Sequence, residues 1–307
     1  MSGILTGFST IGAIIVLGVV LGHFGVLDVQ AQRLLSRLAF YVANPALMVT
    51  VLGDTDISAV LSAGLPASLG GVAVAAGAQV AVSRYLWRSS AAESTIGAFC
   101  AAYANAGNLG LPIAGYVLGD ASLVAPMLLT QLLVLQPAGL TVLDLTTGDG
   151  PRTWRRVVAT PFTNPLLIGS LVGVALSLLD LRLPAPLRDP LDLVGGMAIP
   201  AMLLAYGLSL RFGPLPGRGA RLGRTGFTVF LKLVVQPVVT FLLARYALGL
   251  DGAGVLAVTV IAALPTAQNV FVHASRYGVA EVPTRDCVFL TTILSAPVLF
   301  AVATLLA

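Results

Sequence analysis

Charge is what this 307-residue sequence has least of: only 10% of its residues are Asp, Glu, Lys or Arg, against roughly a quarter in soluble globular chains. With 57% hydrophobic residues and a mean hydropathy of +0.95, that scarcity excludes an ordinary soluble domain and places the chain in lipid. The formal net charge of +4 points to no nucleic-acid partner, because in lipid the position of each positive charge matters more than the total. Cysteine is nearly absent. Cys100 and Cys287 are too few and too scattered for a disulfide framework or a metal site, and they read as small buried side chains near helix ends. No Lys or Arg precedes Arg33, and the apolar run from Ile4 to Leu27 is too long for a cleaved leader, so it reads as a first spanning helix. Paired carboxylates, a His or Cys nucleophile and metal-spaced ligands are missing from the apolar segments, which argues against an enzyme. Rings of charge and a filter-like loop are missing too, which argues against a channel.

Apolar runs are what the sequence has in excess. A spanning helix needs about 20 mostly apolar residues, and ten segments qualify: 4–27, 34–53, 61–83, 94–118, 122–145, 162–180, 190–211, 222–248, 253–277 and 284–306. The longest polar link, Thr146 to Thr160, carries Gly148, Gly150, Pro151, Arg152, Arg155 and Arg156 at the middle of the chain. With the N-terminus outside, the cytoplasmic loops hold Arg33 and Arg37, Arg84 and Arg88, Arg152, Arg155 and Arg156, then Arg211, Arg218, Arg221 and Arg224, then Arg276 and Arg285. The opposite face receives Arg182, Arg188 and Arg245 together with Asp54, Asp56, Asp120, Asp180, Asp189, Asp192 and Asp251. Every cytoplasmic loop is then basic, as the positive-inside rule requires. The expected location is the plasma (inner) membrane, multi-pass, with both termini outside.

The chain also matches itself. Leu17–Leu21 matches Val172–Leu176, and Ala43–Leu47 matches Ala198–Met202, both at an offset of 155. Past the loop around Arg211 to Arg224 the offset becomes 161, where Arg84-Tyr85 matches Arg245-Tyr246, Asn108 matches Asn269 and Tyr116 matches Tyr277. Residues 1–146 therefore read as a first five-helix repeat, 147–161 as a short basic cytoplasmic linker, and 162–307 as a second repeat. Five is odd, so the second copy enters from the opposite side and the repeats are inverted. The expected fold is all-α integral membrane, ten transmembrane helices as two inverted five-helix repeats, an architecture of secondary transporters.

The fourth helix of each copy is interrupted, by Asn105-Ala106-Gly107-Asn108-Leu109-Gly110-Leu111-Pro112 and by Leu264-Pro265-Thr266-Ala267-Gln268-Asn269. Proline removes an amide donor and obstructs the preceding turn, and loose backbone at membrane depth survives only when buried in protein or lining a cavity. Matched breaks in both halves are where a transporter binds its substrate. The amide end of a half-helix carries about half a positive charge and accepts an anion without a fixed cation. Asn105, Gly107, Asn108, Pro265, Thr266, Gln268 and Asn269 are thus the expected substrate-binding residues. Lys232, five residues before Pro237, either attracts the anion, carries a coupling proton or snorkels to the cytoplasmic surface. Asn44 (before Pro45), Gln131, Gln136 (before Pro137) and His273 are further candidates for the pathway or for coupling, with packing as the alternative for each. Asp144 reads as interfacial, with a proton carrier as the alternative, and His23 reads as interfacial.

Asn105-x-Gly107-x-x-Gly110-x-Pro112 and Pro265-x-x-x-Asn269 with Tyr277-Gly278 resemble the auxin efflux carrier family, and the resemblance covers essentially the whole chain, Lys232 and Pro237 included. That family includes plant auxin exporters and bacterial permeases for malate, malonate and similar acids. The resemblance implies scaffold helices 1, 2, 6 and 7, transport helices 3–5 and 8–10, and substrate bound where broken helices 4 and 9 cross. It would set Asn105, Asn108 and Asn269 around an organic carboxylate. The plant exporters have a proline in the helix-four crossover itself and a long cytoplasmic loop; here Gly107 occupies the break and the loop is short, as in bacterial members.

The expected activity is transport of a small organic anion, such as malate, malonate or an auxin-like acid, by alternating access. No cofactor or metal is expected, and proton or sodium coupling is open, as is a homodimer. A sodium-coupled symporter of the bile-acid type is the neighbouring alternative, since Gln268-Asn269 is similar to its helix-nine pair, although neither crossover here contains Glu. A sensor or binding module built on the same core is the other.

Overall fold

The computed structural model describes residues 2–54, 57–147, 165–212 and 222–306, all helical apart from turns and short connections. The basic linker, Arg218 and Arg221 lie outside these residues. In chain order the helices are α1 (Ser2–His23), α2 (Val29–Gly53), α3 (Ile57–Ala81), α4 (Ala91–Ala102), α5 (Leu111–Tyr116) and α6 (Ala121–Thr147). After the linker come α7 (Pro165–Leu178), α8 (Ala185–Phe212), α9 (Gly223–Ala247), α10 (Gly252–Ala262), α11 (Asn269–Tyr277) and α12 (Glu281–Leu306). Among the described residues, six helices are long and apolar enough to cross a membrane: α2, α6, α8, α9, α12 and the run Gly64–Leu86 that extends α3. The expected spans 94–118 and 253–277 are each two helices with a non-helical stretch between them, α4 with α5 and α10 with α11.

Proline shapes the long helices. Wide π-type turns over Ala39–Ala43, Ala106–Gly110, Thr130–Leu135 and Leu231–Val235 each end two residues before a proline: Pro45, Pro112, Pro137 and Pro237. A proline ring collides with the carbonyl four residues back and offers no N–H, and a widened turn relieves both. Asn44, Gln136 and Gln236 fill the place directly before three of these prolines.

The chain divides into two compact units, and the division cuts across the sequence halves. One comprises residues 1–62, 107–125 and 162–213; the other comprises 63–106, 126–161 and 214–307. In the first, α7 lies on α2 and α1 on α8 at backbone contact. A Cβ on Gly173 would stand 2.5 Å from the Met48 carbonyl oxygen, and one on Gly18 would stand 2.6 Å from that of Leu204. Small residues let helices approach this closely in lipid, where dispersion and polar contacts replace the hydrophobic drive. In the second unit the core gathers Ile96, Phe99, Cys100 and Tyr103 of the α4 segment with Leu140, Leu143, Leu233, Val270 and Cys287.

Local features recur at the separations found in the sequence. Gly18 and Gly173 are 155 apart, as are Gly25 and Asp180, which both have positive φ. Arg88 and Gly249, then Gly119 and Ala280, repeat the positive φ at a separation of 161. At that same separation lie the π-type turns Val82–Leu86 and Leu243–Ala247, the side-chain caps Ser90 and Asp251, and the first residues of α4 and α10.

Candidate functional site

Both interrupted helices belong, in their first halves, to the second unit. Each starts at a side-chain cap. Ser90 Oγ accepts from Glu93 N at 3.1 Å and Glu93 returns the bond to Ser90 N at 2.9 Å, while Asp251 Oδ1 accepts from Gly254 N at 2.9 Å. Each then stops in an apolar stretch, α4 at Ala102 and α10 at Ala262.

Stopping there frees buried backbone groups, and many of them find partners across the two breaks and on α9. The stretches after the two helices run antiparallel and pair at Ala104 and Thr266. Asn105 N donates to the Pro265 carbonyl at 2.8 Å, and Ala267 N donates to the Tyr103 carbonyl at 3.0 Å. Thr266 Oγ1 donates to the Cys100 carbonyl at 2.6 Å, and Thr266 N donates to Thr291 Oγ1 at 3.1 Å. The last carbonyls of the two helices are met from α9. Lys232 Nζ donates to the Ala262 carbonyl at 2.9 Å, and Gln236 Nε2 donates to the Ala102 carbonyl at 3.1 Å. Lys232 also donates to Gln236 Oε1, so the two side chains act as one unit. Lys232, the chain's single lysine, is fully buried. The surface-snorkelling alternative for this residue is therefore corrected: its ammonium turns inward because helix-end carbonyls await it there.

The polar side chains at the crossing are few. Asn105 is buried and its Nδ2 has no partner among the described residues; the same holds for Asn269 Oδ1. The Asn269 side chain is hydrogen-bonded to the Tyr103 hydroxyl, which donates to Gln136 Oε1 at 2.7 Å. Phe99 meets Tyr103 edge-on and His273 at a tilt, each at 5.9 Å centroid separation. Gln131, in the π-type turn of α6, is buried with its Nε2 unpartnered among the described residues. Asn105, Pro265, Thr266, Gln268, Asn269, Gln131, Gln136, Lys232 and His273 thus all fall in the second unit. Gly107 and Asn108, in the turn after the break, fall in the first, as does Asn44, whose amide donates to Met202 Sδ at 3.3 Å. The break itself begins earlier than its glycines and proline suggest: Tyr103 to Asn105 are the non-helical residues, and Pro112 already sits in the first turn of α5.

A cavity of about 370 Å³ opens elsewhere in the second unit, lined by Gln79, Ser83, Glu93, Arg224, Thr228 and Thr284 among others, with Cys100 and Cys287 also in its wall. Cys287 Sγ lies 3.8 Å from Thr266 Oγ1, so this cavity reaches the back of the crossing. The two cysteines, scattered in sequence, are thus close in space. Sequence reasoning also missed Tyr103, Gln236 and Thr291. The one available signal was Gln236-Pro237, which repeats Gln136-Pro137.

The profile of the family described as membrane transport protein matches residues 8–141 and 152–302. The chain belongs to the membrane transport protein family. The resemblance to auxin efflux carriers carried by the crossover motifs agrees with this membership. Two relatives within reach of this membrane transport protein are a "Putative malonate transporter" of Rhizobium meliloti (strain 1021), 29% identical over 87% of this chain and 84% of the relative, and an "Uncharacterized transporter" of Methanothermobacter thermautotrophicus, 27% identical over 92% and 91%.

Proposed function

We propose that this membrane transport protein is a secondary carrier of a small organic anion, a dicarboxylate such as malonate, working by alternating access. The observation that carries the reading is the paired break: two helices stop within apolar segments and their freed backbone is satisfied mutually and by α9. Irregular backbone at membrane depth survives only where it is buried in protein or lines a cavity. The positive end of α11 begins at Asn269, and Asn105 keeps an amide donor unspent. An unmet buried donor costs about 1–3 kcal/mol, which a carboxylate oxygen would offset. Asn105, Thr266, Gln268 and Asn269, all of the second unit, accordingly bind the anion, and Pro265 holds the break open. The recurrence of caps, π-type turns and left-handed residues at two fixed separations supports ten spanning helices in two inverted repeats. The name of the Rhizobium relative supports malonate as the first compound to try.

The test is counterflow of labelled malonate into proteoliposomes loaded with unlabelled malonate. Saturable accumulation that Asn105→Ala and Asn269→Ala abolish, with both variants still folded, is the expected result. Saturable malonate binding without counterflow would instead make the protein a sensor. A dependence of accumulation on sodium would move it to the bile-acid type of symport.

A further inference from the structure

The cavity of about 370 Å³ in the second unit lies between α3, α4, α9 and α12, and its size falls in the range of small-molecule sites, about 300–1,000 Å³. Its floor is polar, buried and already ordered. Gln79 Nε2 donates to Ser83 Oγ at 2.9 Å, Thr228 Oγ1 donates to Gln79 Oε1 at 3.1 Å, and all three residues are buried. Gln79 also packs on Gly97, where a Cβ would stand 3.0 Å from its Nε2. The Ser83 hydroxyl accepts one bond and, among the described residues, donates none.

Two opposite charges line this cavity and do not meet. The Arg224 guanidinium lies over the Trp87 ring at 5.1 Å, and the Glu93 carboxylate accepts from Ser90 N at 2.9 Å. Among the described residues neither is ion-paired, to the other or to any third group. A guanidinium keeps its charge and offers a planar fork that fits a carboxylate. Two unspent charges of opposite sign beside a neutral hydrogen-bonding floor are the complement of one molecule that carries both.

We infer that this cavity is a second ligand site, apart from the crossing, for a small zwitterion of the amino-acid class. Arg224 takes the carboxylate, Glu93 takes the ammonium, and Gln79, Ser83 and Thr228 receive the remainder of the molecule. A simple carboxylate gains Arg224 but meets Glu93 with like charge, so it is refused.

The chain's two cysteines, Cys100 and Cys287, both stand in the wall and report occupancy. Purified full chain in detergent is labelled with methyl methanethiosulfonate, and its melting temperature is followed in parallel, so a reading remains even for thiols that the reagent does not reach. The probes are glycine, L-glutamine, β-alanine and γ-aminobutyrate, whose charges are spaced differently, against propionate, propylammonium and phosphoethanolamine. Malonate is left out, so the outcome is independent of whether the protein carries it. At least one amino acid is expected to slow labelling or raise the melting temperature saturably, and the single-charge probes to do neither. Glu93→Gln keeps the helix cap, since glutamine serves at that position. It is expected to raise the half-saturating amino-acid concentration at least about tenfold, the effect of one lost charged contact, and to admit propionate. Arg224→Gln is expected to bind neither. Three results overturn the inference: no amino acid acts in either measurement, propionate or phosphoethanolamine acts on the wild type as well as any amino acid, or Glu93→Gln responds to amino acids as the wild type does.

Discussion

Thr266 Oγ1 donates to the Cys100 carbonyl at 2.6 Å, tying the residue that pairs across the crossing to the last turn of α4. Its amide meanwhile donates to Thr291 Oγ1 of α12, so one threonine fastens α4, α12 and the break together. Thr266→Val keeps the shape and strands the Cys100 carbonyl, at a cost of about 1–3 kcal/mol. The expected outcome is a melting temperature lower by several degrees for the valine variant and near-normal for Thr266→Ser. An unchanged valine variant would mean that another donor meets that carbonyl.

Tyr103 invites a subtler substitution. Its hydroxyl sits between Gln136 and Asn269, so it aims the Asn269 amide. Tyr103→Phe keeps the ring edge-on against Phe99 and frees Asn269 to rotate. A loss of about 1.4 kcal/mol in binding is a tenfold rise in Kd. On the proposed function, malonate affinity is expected to fall by about that factor, while the loss of the hydroxyl that meets Gln136 Oε1 lowers the melting temperature by a few degrees as Thr266→Val does. Calorimetry beside a melting curve separates the two effects, and a variant of normal affinity would remove Tyr103 from the site.

How much of this was legible in the sequence differs from residue to residue. Pro45, Pro112, Pro137 and Pro237 follow four of the widened turns, because proline's missing donor is a local property of the chain, whereas Val82–Leu86 and Leu243–Ala247 widen with no proline after them. Pro265, Thr266 and Asn269 marked the second break for the same reason. The first break was read too late by a few residues, since Tyr103 and Ala104 carry no local signal; they are extended because Thr266 and Ala267 lie opposite. The partners of Lys232 and Gln236 lie 30 and 134 residues away, and no local pattern distinguishes a lysine that snorkels from one that finds a carbonyl. The cysteines met only through tertiary packing beside Thr266.

Glycine substitutions separate close approach from mere flexibility. A Cβ on Gly207 would stand 2.1 Å from the Ile15 carbonyl oxygen and 2.9 Å from the Gly18 Cα, so α1 must move off α8. A Cβ on Gly77, within α3, meets nothing within 4 Å. Gly207→Ala is expected to lower the melting temperature clearly. Gly77→Ala is expected to hold or raise it, since alanine gains up to about 1 kcal/mol over glycine within a helix. Equal melting temperatures for the two variants would contradict the tight α1–α8 contact.

Two ion-paired arginines provide the sharpest contrast. Arg188 bonds Asp54 and Asp192 with all three side chains 40–50% exposed. Exposed pairs are worth about 0–1 kcal/mol and weaken in salt. Arg285 bonds Asp286 at 2.7 Å, but there the carboxylate side chain is only 3% exposed and its Oδ2 has no partner among the described residues. Removing Arg285 strands a buried charge, which costs about 3–5 kcal/mol, whereas removing both charges need not. Arg188→Ala is therefore expected to change the melting temperature little. Arg285→Ala is expected to lower it strongly, and Arg285→Ala combined with Asp286→Asn to restore most of the loss. The cycle is read by unfolding at low and at high salt. If the double variant melts as low as Arg285→Ala alone, the damage lies in lost packing by the arginine, not in the stranded carboxylate.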